Sequence, residues 1–175
     1  EEGAAVFKKA CVSAEFRAFA ANQSSPVTQW LRALARYAHQ ECGGPGVGAI
    51  GMCFTGNFAL SMMLEKSVLA PVLLQPSLPL DKPDAIESPA AEVEQVVERL
   101  KSEDLTVLAY RFEGDHFCQA QRFAAYKEAL GDTFDGRVLP DEAANKDVPP
   151  FVRAYVPTPH SLSLIHISEP TRRSY

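Results

Sequence analysis

Apolar and polar residues follow two different spacings along this chain, and these spacings predict its helices and strands. From Val27 onward, apolar residues recur every three or four positions, which predicts a helix with one buried face. The residues of that face are Trp30, Leu31, Leu34, Tyr37 and Ala38. Ser25-Pro26 precedes the helix as a capping serine and a first-turn proline, and Gly43-Gly44-Pro45 ends it.

Runs of aliphatic and β-branched residues predict four strands after this helix. The first run begins at Gly46 and ends in Gly51-Met52-Cys53, and the others cover 68–74, 106–112 and 136–139. Helical spacing after Cys53, over 91–101 and over 119–130 places a helix behind each of the first three strands, and 76–89 is a long loop. Alternating strands and helices predict an α/β fold with a mostly parallel sheet and helices on both faces.

The sequence Gly51-Met52-Cys53-Phe54-Thr55-Gly56 joins the first predicted strand to the helix behind it. Small residues near Cys53 suit a sharp strand-to-helix turn, because strand and helix approach closely there. In such a turn the apex residue has a strained backbone and projects its side chain from the carboxyl edge of the sheet. The pattern therefore predicts a nucleophile elbow with the Cys53 thiol at its apex. The alternative is a small cysteine buried under a helix.

Composition narrows the classes of function. The 175 residues suffice for one domain with a sizeable core, and 46% of them are apolar. A net charge of −5 and a pI near 5.4 argue against a nucleic-acid-binding surface. The longest apolar runs are too short to cross a bilayer. Four cysteines without metal-ligand spacing, and no signal peptide, predict a cytoplasmic protein with free thiols and no metal.

Two further residues could complete a catalytic group with Cys53. Asp115 lies in a Gly-Asp turn directly after the third predicted strand, and His160 lies in a loop after the last one. Nucleophile, acid and histidine in this order along the chain is the α/β-hydrolase arrangement. His116 is a rival base, although it adjoins Asp115 on the same turn, and His39 ends the first predicted helix. An ordinary turn aspartate and a surface histidine are the alternatives for the acid and the base.

The glycines Gly46, Gly48 and Gly51 match a dinucleotide-binding pattern, but their position argues against that function. The pattern requires its glycines between strand and helix, whereas these lie before or within the predicted strand. The next predicted strand ends in Gln75-Pro76 and offers no acidic residue to bind a ribose.

Three segments together resemble the dienelactone hydrolase family of α/β-hydrolases. They are Gly51-Met52-Cys53-Phe54-Thr55-Gly56 with the apolar helix after it, Arg111-Phe112-Glu113-Gly114-Asp115, and Pro159-His160-Ser161. The resemblance covers residues 11–161. It implies Cys53 as the nucleophile, His160 as the base, Asp115 as the residue that orients His160, and the Phe54 backbone N–H as an oxyanion donor. It also implies action on lactones and related esters without a cofactor.

The chain departs from the family pattern in two respects. Many members carry glycine at the position of Thr55, so the turn must accept a β-branched residue there or use Gly56 instead. The first strands of the family fold, with the second oxyanion donor, would precede residue 1. The resemblance therefore implies a partial α/β-hydrolase fold with its first strands missing, an internal fragment that is feeble or inactive by itself.

Residues 162–175 resemble the translation of a sequencing adapter. We therefore expect a partial hydrolase-like domain at 1–161 followed by a non-native tail at 162–175. A genuine basic tail is the alternative.

Residues and resemblance together predict a hydrolase of a lactone or carboxylic ester, with a Cys-Asp-His triad and a thioester on Cys53. Its partner would be a small-molecule substrate, with no nucleic acid and no membrane. Two alternatives stay open. One is a non-catalytic α/β-hydrolase-like module that binds ligands or senses oxidants through Cys53. The other is an inactive truncated fragment without a stable fold of its own.

Overall fold

A computed structural model of the protein describes Ala5, Lys9 and residues 21–144. The predictions for His160, for the 162–175 tail and for most of the first 20 residues lie outside this part of the chain. Within it, helices and strands alternate as the sequence predicts. The helices are α1 (Val27–Cys42), α2 (Phe58–Ser61), α3 (Ala90–Ser102) and α4 (Ala120–Leu130). The strands are β1 (Val47–Met52), β2 (Val68–Leu74), β3 (Val107–Phe112) and β4 (Phe134–Leu139).

The strands of residues 21–144 form one parallel sheet in the order β1-β2-β3-β4. Met52 pairs with Leu74, and Leu74 with Tyr110, so β1 and β2 end level with one another and β3 continues two residues further, to Phe112. Residues that follow these ends are therefore brought to one edge of the sheet. The α/β fold with a parallel sheet is confirmed.

One face of the sheet carries the hydrophobic core. Buried strand residues such as Leu73 and Ala109 pack with residues of all four helices, among them Ala35, Leu60, Leu100 and Tyr126. Successive side chains of a strand point to opposite faces of the sheet. The face opposite the core is more open, since Ile50 is 68% exposed. The sequence predicted helices on both faces of the sheet. In residues 21–144 this prediction is therefore confirmed for one face only. No helix of the described residues is long and apolar enough to span a membrane.

Helix α1 exposes most of the predicted apolar stripe, so the expected burial is wrong for Trp30, Leu34 and Tyr37. Leu31 of the same stripe is half-buried and packs against Phe58 and Leu78. Trp30 is 61% exposed and Tyr37 is 59% exposed, whereas Thr28 and Ala35 are buried. Polar contacts add to the attachment of the helix: Arg32 Nε donates to the Ser61 carbonyl oxygen at 2.8 Å, a bond to the short helix behind β1. Apolar spacing reveals that a helix has a stripe but not which neighbour is available to cover it.

Ser25 does not cap α1 with its side chain, contrary to the prediction. The helix begins after Pro26 without a side-chain cap, and the Ser25 hydroxyl donates to the buried Glu87 carboxyl. Burial raises the pKa of Glu87 to about 8, although the Ser25 hydrogen bond and the charge of Arg122 act in the opposite direction. The serine thus joins the start of α1 to the loop before α3.

Two fully buried side chains anchor the loop from 76 to 89 through hydrogen bonds. The Arg122 guanidinium donates to the carbonyl oxygens of Pro79, at 2.7 Å, and of Ala85. The Asn57 amide donates to the Glu87 carbonyl oxygen at 2.6 Å and accepts the Tyr126 hydroxyl at 2.7 Å. These bonds give the loop a defined path across the carboxyl edge of the sheet.

Candidate active site at the carboxyl edge of the sheet

Cys53 occupies the apex of a sharp turn between β1 and the helical segment behind it. Its φ is +52°, a left-handed conformation that non-glycine residues rarely adopt. Such a conformation costs of order 1–3 kcal/mol and persists only where the surrounding structure enforces it. The predicted strained apex is therefore present, and the thiol is half-buried rather than enclosed. The alternative of a fully buried packing cysteine does not describe Cys53.

Close backbone approach at this turn needs glycine at positions 51 and 56. A Cβ on Gly51 would collide with the carbonyl oxygens of Thr55 and Gly56, and one on Gly56 would collide with Pro76. Thr55 needs no such freedom: its hydroxyl donates to the Met52 carbonyl oxygen at 3.0 Å and accepts the Met52 N–H at 3.2 Å. Two ways were open for the turn to form with threonine rather than glycine at position 55: it could accept the β-branched residue, or use Gly56 instead. The chain uses both.

The predicted single helix behind Cys53 is broken into short pieces. A 3-10 turn at Cys53–Thr55 precedes α2, and a second at Met62–Leu64 follows it. Phe54 is the second residue of the first turn, where backbone N–H groups point out of the helix start. Its side chain packs with Phe58 and Leu78 in a small separate cluster. This position suits the predicted oxyanion donor.

Asp115 follows β3 at the same edge of the sheet and is 3% exposed. Its Oδ1 accepts the backbone N–H groups of Phe117 and Cys118, both at 2.9 Å, so the carboxylate is fixed in direction before α4 begins. The turn that carries it is itself fixed, because the Gly114 N–H donates to Asp141 Oδ1 at 2.9 Å. Asp115 is thus a buried, oriented carboxyl and not an ordinary exposed turn residue.

Cys53 and Asp115 follow strands that are separated by one strand, β2. Neighbouring strands lie about 4.8 Å apart, so the axes of β1 and β3 are about 10 Å apart. The predicted partner His160 lies outside the described residues.

Ser77 is a neighbour of Cys53 that the sequence did not single out. It follows β2, and its hydroxyl lies 3.7 Å from Cys53 Sγ. The only signal in the sequence was its place directly after Gln75-Pro76 at the end of a predicted strand. Cys118 also lies in this region, fully buried, and burial raises the pKa of its thiol far above the ordinary value. Its thiol is therefore protonated and unreactive at neutral pH.

The other candidate residues occupy positions that suit the predicted functions less well. His116 is exposed beside Asp115, and His39 lies half-buried in the last turn of α1, where its carbonyl oxygen accepts the Gly43 N–H. The three glycines of the dinucleotide pattern lie directly before or within β1, not between strand and helix. Among residues 21–144, no group of three or more potential metal ligands comes together.

Comparisons of this chain with protein-family models, with curated proteins and with solved structures found no match.

Proposed function

We propose that this protein hydrolyses a lactone or carboxylic ester through a thioester on Cys53. The observation that carries the proposal is the pairing of two features at one edge of the sheet. Cys53 is held at a positive φ on a sharp turn, and the buried Asp115 follows the next strand but one. A strained apex nucleophile and an oriented acid are two of the three members of a nucleophile–acid–base group.

His160 is the proposed third member. In the first step it takes the thiol proton, and the Cys53 sulfur attacks the ester carbonyl carbon. The developing oxyanion is stabilised by the Phe54 N–H. The C–O bond then breaks, His160 returns its proton to the leaving alcohol, and a thioester remains. In a lactone this alcohol stays attached to the same molecule.

The second step returns the enzyme to its starting state. His160 takes a proton from water, the hydroxide attacks the thioester carbonyl, and the C–S bond breaks. The sulfur leaves with the proton from His160, and the carboxylic acid is released. Asp115 would hold His160 in the tautomer that presents its acceptor nitrogen to the thiol. Neither step changes an oxidation state, so the scheme needs no redox cofactor.

Acylation of Cys53 by p-nitrophenyl acetate tests this proposal. We expect a burst of p-nitrophenol and an acetyl adduct that peptide mass spectrometry locates on Cys53. Cys53→Ala should remove both, whereas Cys42→Ser, which alters an exposed thiol on α1, should leave both intact. An unchanged burst in Cys53→Ala would overturn the assignment of the nucleophile.

The thiol-sensing alternative stays a prediction that the same experiment addresses. It is favoured if Cys53 reacts with hydrogen peroxide or iodoacetamide but the acetyl adduct is never hydrolysed. Release of the adduct that becomes slower in His160→Gln would favour the hydrolase.

A further inference from the structure

The segment after β2 contacts the Cys53 turn through backbone atoms. The Ser77 N–H donates to the Cys53 carbonyl oxygen at 3.0 Å. One residue earlier, Pro76 lies so close to Gly56 that no side chain fits between them. Ser77 is 2% exposed, so its hydroxyl has little room to move away from the thiol. The neighbourhood of Ser77 and Cys53 is therefore built into the fold.

The Ser77 hydroxyl has one proton, and two acceptors of the described residues lie within its reach. Its Oγ is 3.0 Å from the Gln75 carbonyl oxygen and 3.7 Å from Cys53 Sγ. A neutral thiol is a weak acceptor, so the Ser77 hydroxyl donates to the Gln75 carbonyl oxygen while Cys53 is protonated. A thiolate carries a full charge and attracts the same proton strongly. Rotation about one bond moves the hydroxyl hydrogen from one acceptor to the other.

We infer that Ser77 is a positioning residue that stabilises the Cys53 thiolate by turning its hydroxyl from Gln75 to the sulfur. The hydrogen bond also fixes the direction of the sulfur before it attacks a carbonyl carbon. The inference rests on the proposed function only for the role of Cys53 as the nucleophile. Stabilisation of the thiolate is itself a property that can be measured without any ester.

Titratable groups on neighbouring elements also lie at this edge of the sheet. The Cys118 thiol interacts electrostatically with it but stays protonated at neutral pH, because it is fully buried. The Asp115 carboxyl lies in the turn between β3 and α4 with two backbone N–H groups on its Oδ1. A neutral donor such as Ser77 favours the thiolate without adding a charge of its own.

The test is the pH dependence of Cys53 alkylation by iodoacetamide, followed on the Cys53 peptide by mass spectrometry. Loss of a charge-assisted hydrogen bond should move the midpoint of this profile in Ser77→Ala upward by about one pH unit. Alkylation at pH 7 should then be about tenfold slower. Ser77→Thr keeps the hydroxyl and should restore most of the wild-type profile. Ser61→Ala, which removes another buried hydroxyl from α2, is the matched control and should leave the midpoint unchanged.

The outcomes separate this inference from the proposed function. A shifted midpoint with no acetyl adduct in the wild-type chain would support the role of Ser77 and count against the hydrolase. An unshifted midpoint in a folded Ser77→Ala variant would overturn the role of Ser77, whatever the esterase result. If Ser77→Ala does not fold, Ser77→Cys has nearly the same size and a weaker donor. An unshifted midpoint in that variant would overturn the inference equally.

Discussion

Gly56 lies against the backbone of Pro76 so closely that a side chain at position 56 would collide with the Pro76 Cα and Cβ atoms. This contact joins the turn of Cys53 to the start of the loop that carries Ser77. It thereby sets the distance between β1 and the segment after β2 at the reactive edge of the sheet.

Gly56→Ala should therefore destabilise the protein. The collision is with backbone, which cannot move aside as a flexible side chain would, so we expect a loss of about 2–3 kcal/mol. Gly48→Ala is the matched control on β1, because its new Cβ would meet no atom closer than 3.6 Å. Urea denaturation of both variants measures the difference. Equal midpoints would mean that the Gly56 contact does not constrain the turn.

Stability should fall as the pH rises from about 5 to 8. The pKa of Glu87 is raised by burial to about 8 in the folded protein, so the folded state binds a proton there that the unfolded chain releases at lower pH. The stabilising effect is complete below the unfolded pKa near 4.5 and is lost as the pH approaches 8. Each pH unit in that window removes up to about 1.4 kcal/mol.

Glu87→Gln should flatten this pH dependence, since the amide keeps an oxygen for the Ser25 hydroxyl and does not ionise. Glu94→Gln, a change at an exposed position of α3, is the control and should keep the wild-type slope. Chemical denaturation at a series of pH values measures both. A slope that survives in Glu87→Gln would assign the effect to another group.

Asp115 should have separable roles in stability and in acylation. Asp115→Ala removes the acceptor of the Phe117 and Cys118 N–H groups and should cost about 1–2 kcal/mol. Asp115→Asn keeps an acceptor oxygen and should lose much less stability. Both variants lack the charge that would orient His160, so Cys53 acylation should slow by about 10² or more. Full acylation in Asp115→Asn would remove Asp115 from the proposed triad.

The fluorescence of Trp30, the single tryptophan of the sequence, should report an exposed indole. The side chain is 61% exposed on the outer face of α1. Acrylamide should therefore quench the native protein nearly as strongly as the urea-unfolded chain. Trp30→Gln should change the free energy of unfolding by less than about 0.5 kcal/mol. Strong protection from acrylamide would show instead that α1 buries the stripe its sequence suggested.

Much of the order of elements could be predicted because its signals are local. Val68–Leu74 is a strand as predicted, since a run of aliphatic residues ends at Gln75-Pro76. Helix α4 ends before Gly131, which adopts a positive φ of 59°. The turn at Cys53 follows from small residues between an apolar strand and an apolar segment. Each of these signals acts over a few residues, so the sequence carries it in readable form.

The sequence by itself thus determined the alternation of strands and helices, the parallel sheet and the places of Cys53 and Asp115 at strand ends. Tertiary structure decided that Trp30 faces outward, that Ser25 binds Glu87 instead of capping α1, and that Ser77 contacts the Cys53 sulfur. These outcomes join residues more than 20 positions apart or depend on which neighbour covers a face. Packing geometry selects among such contacts, and no local propensity encodes it.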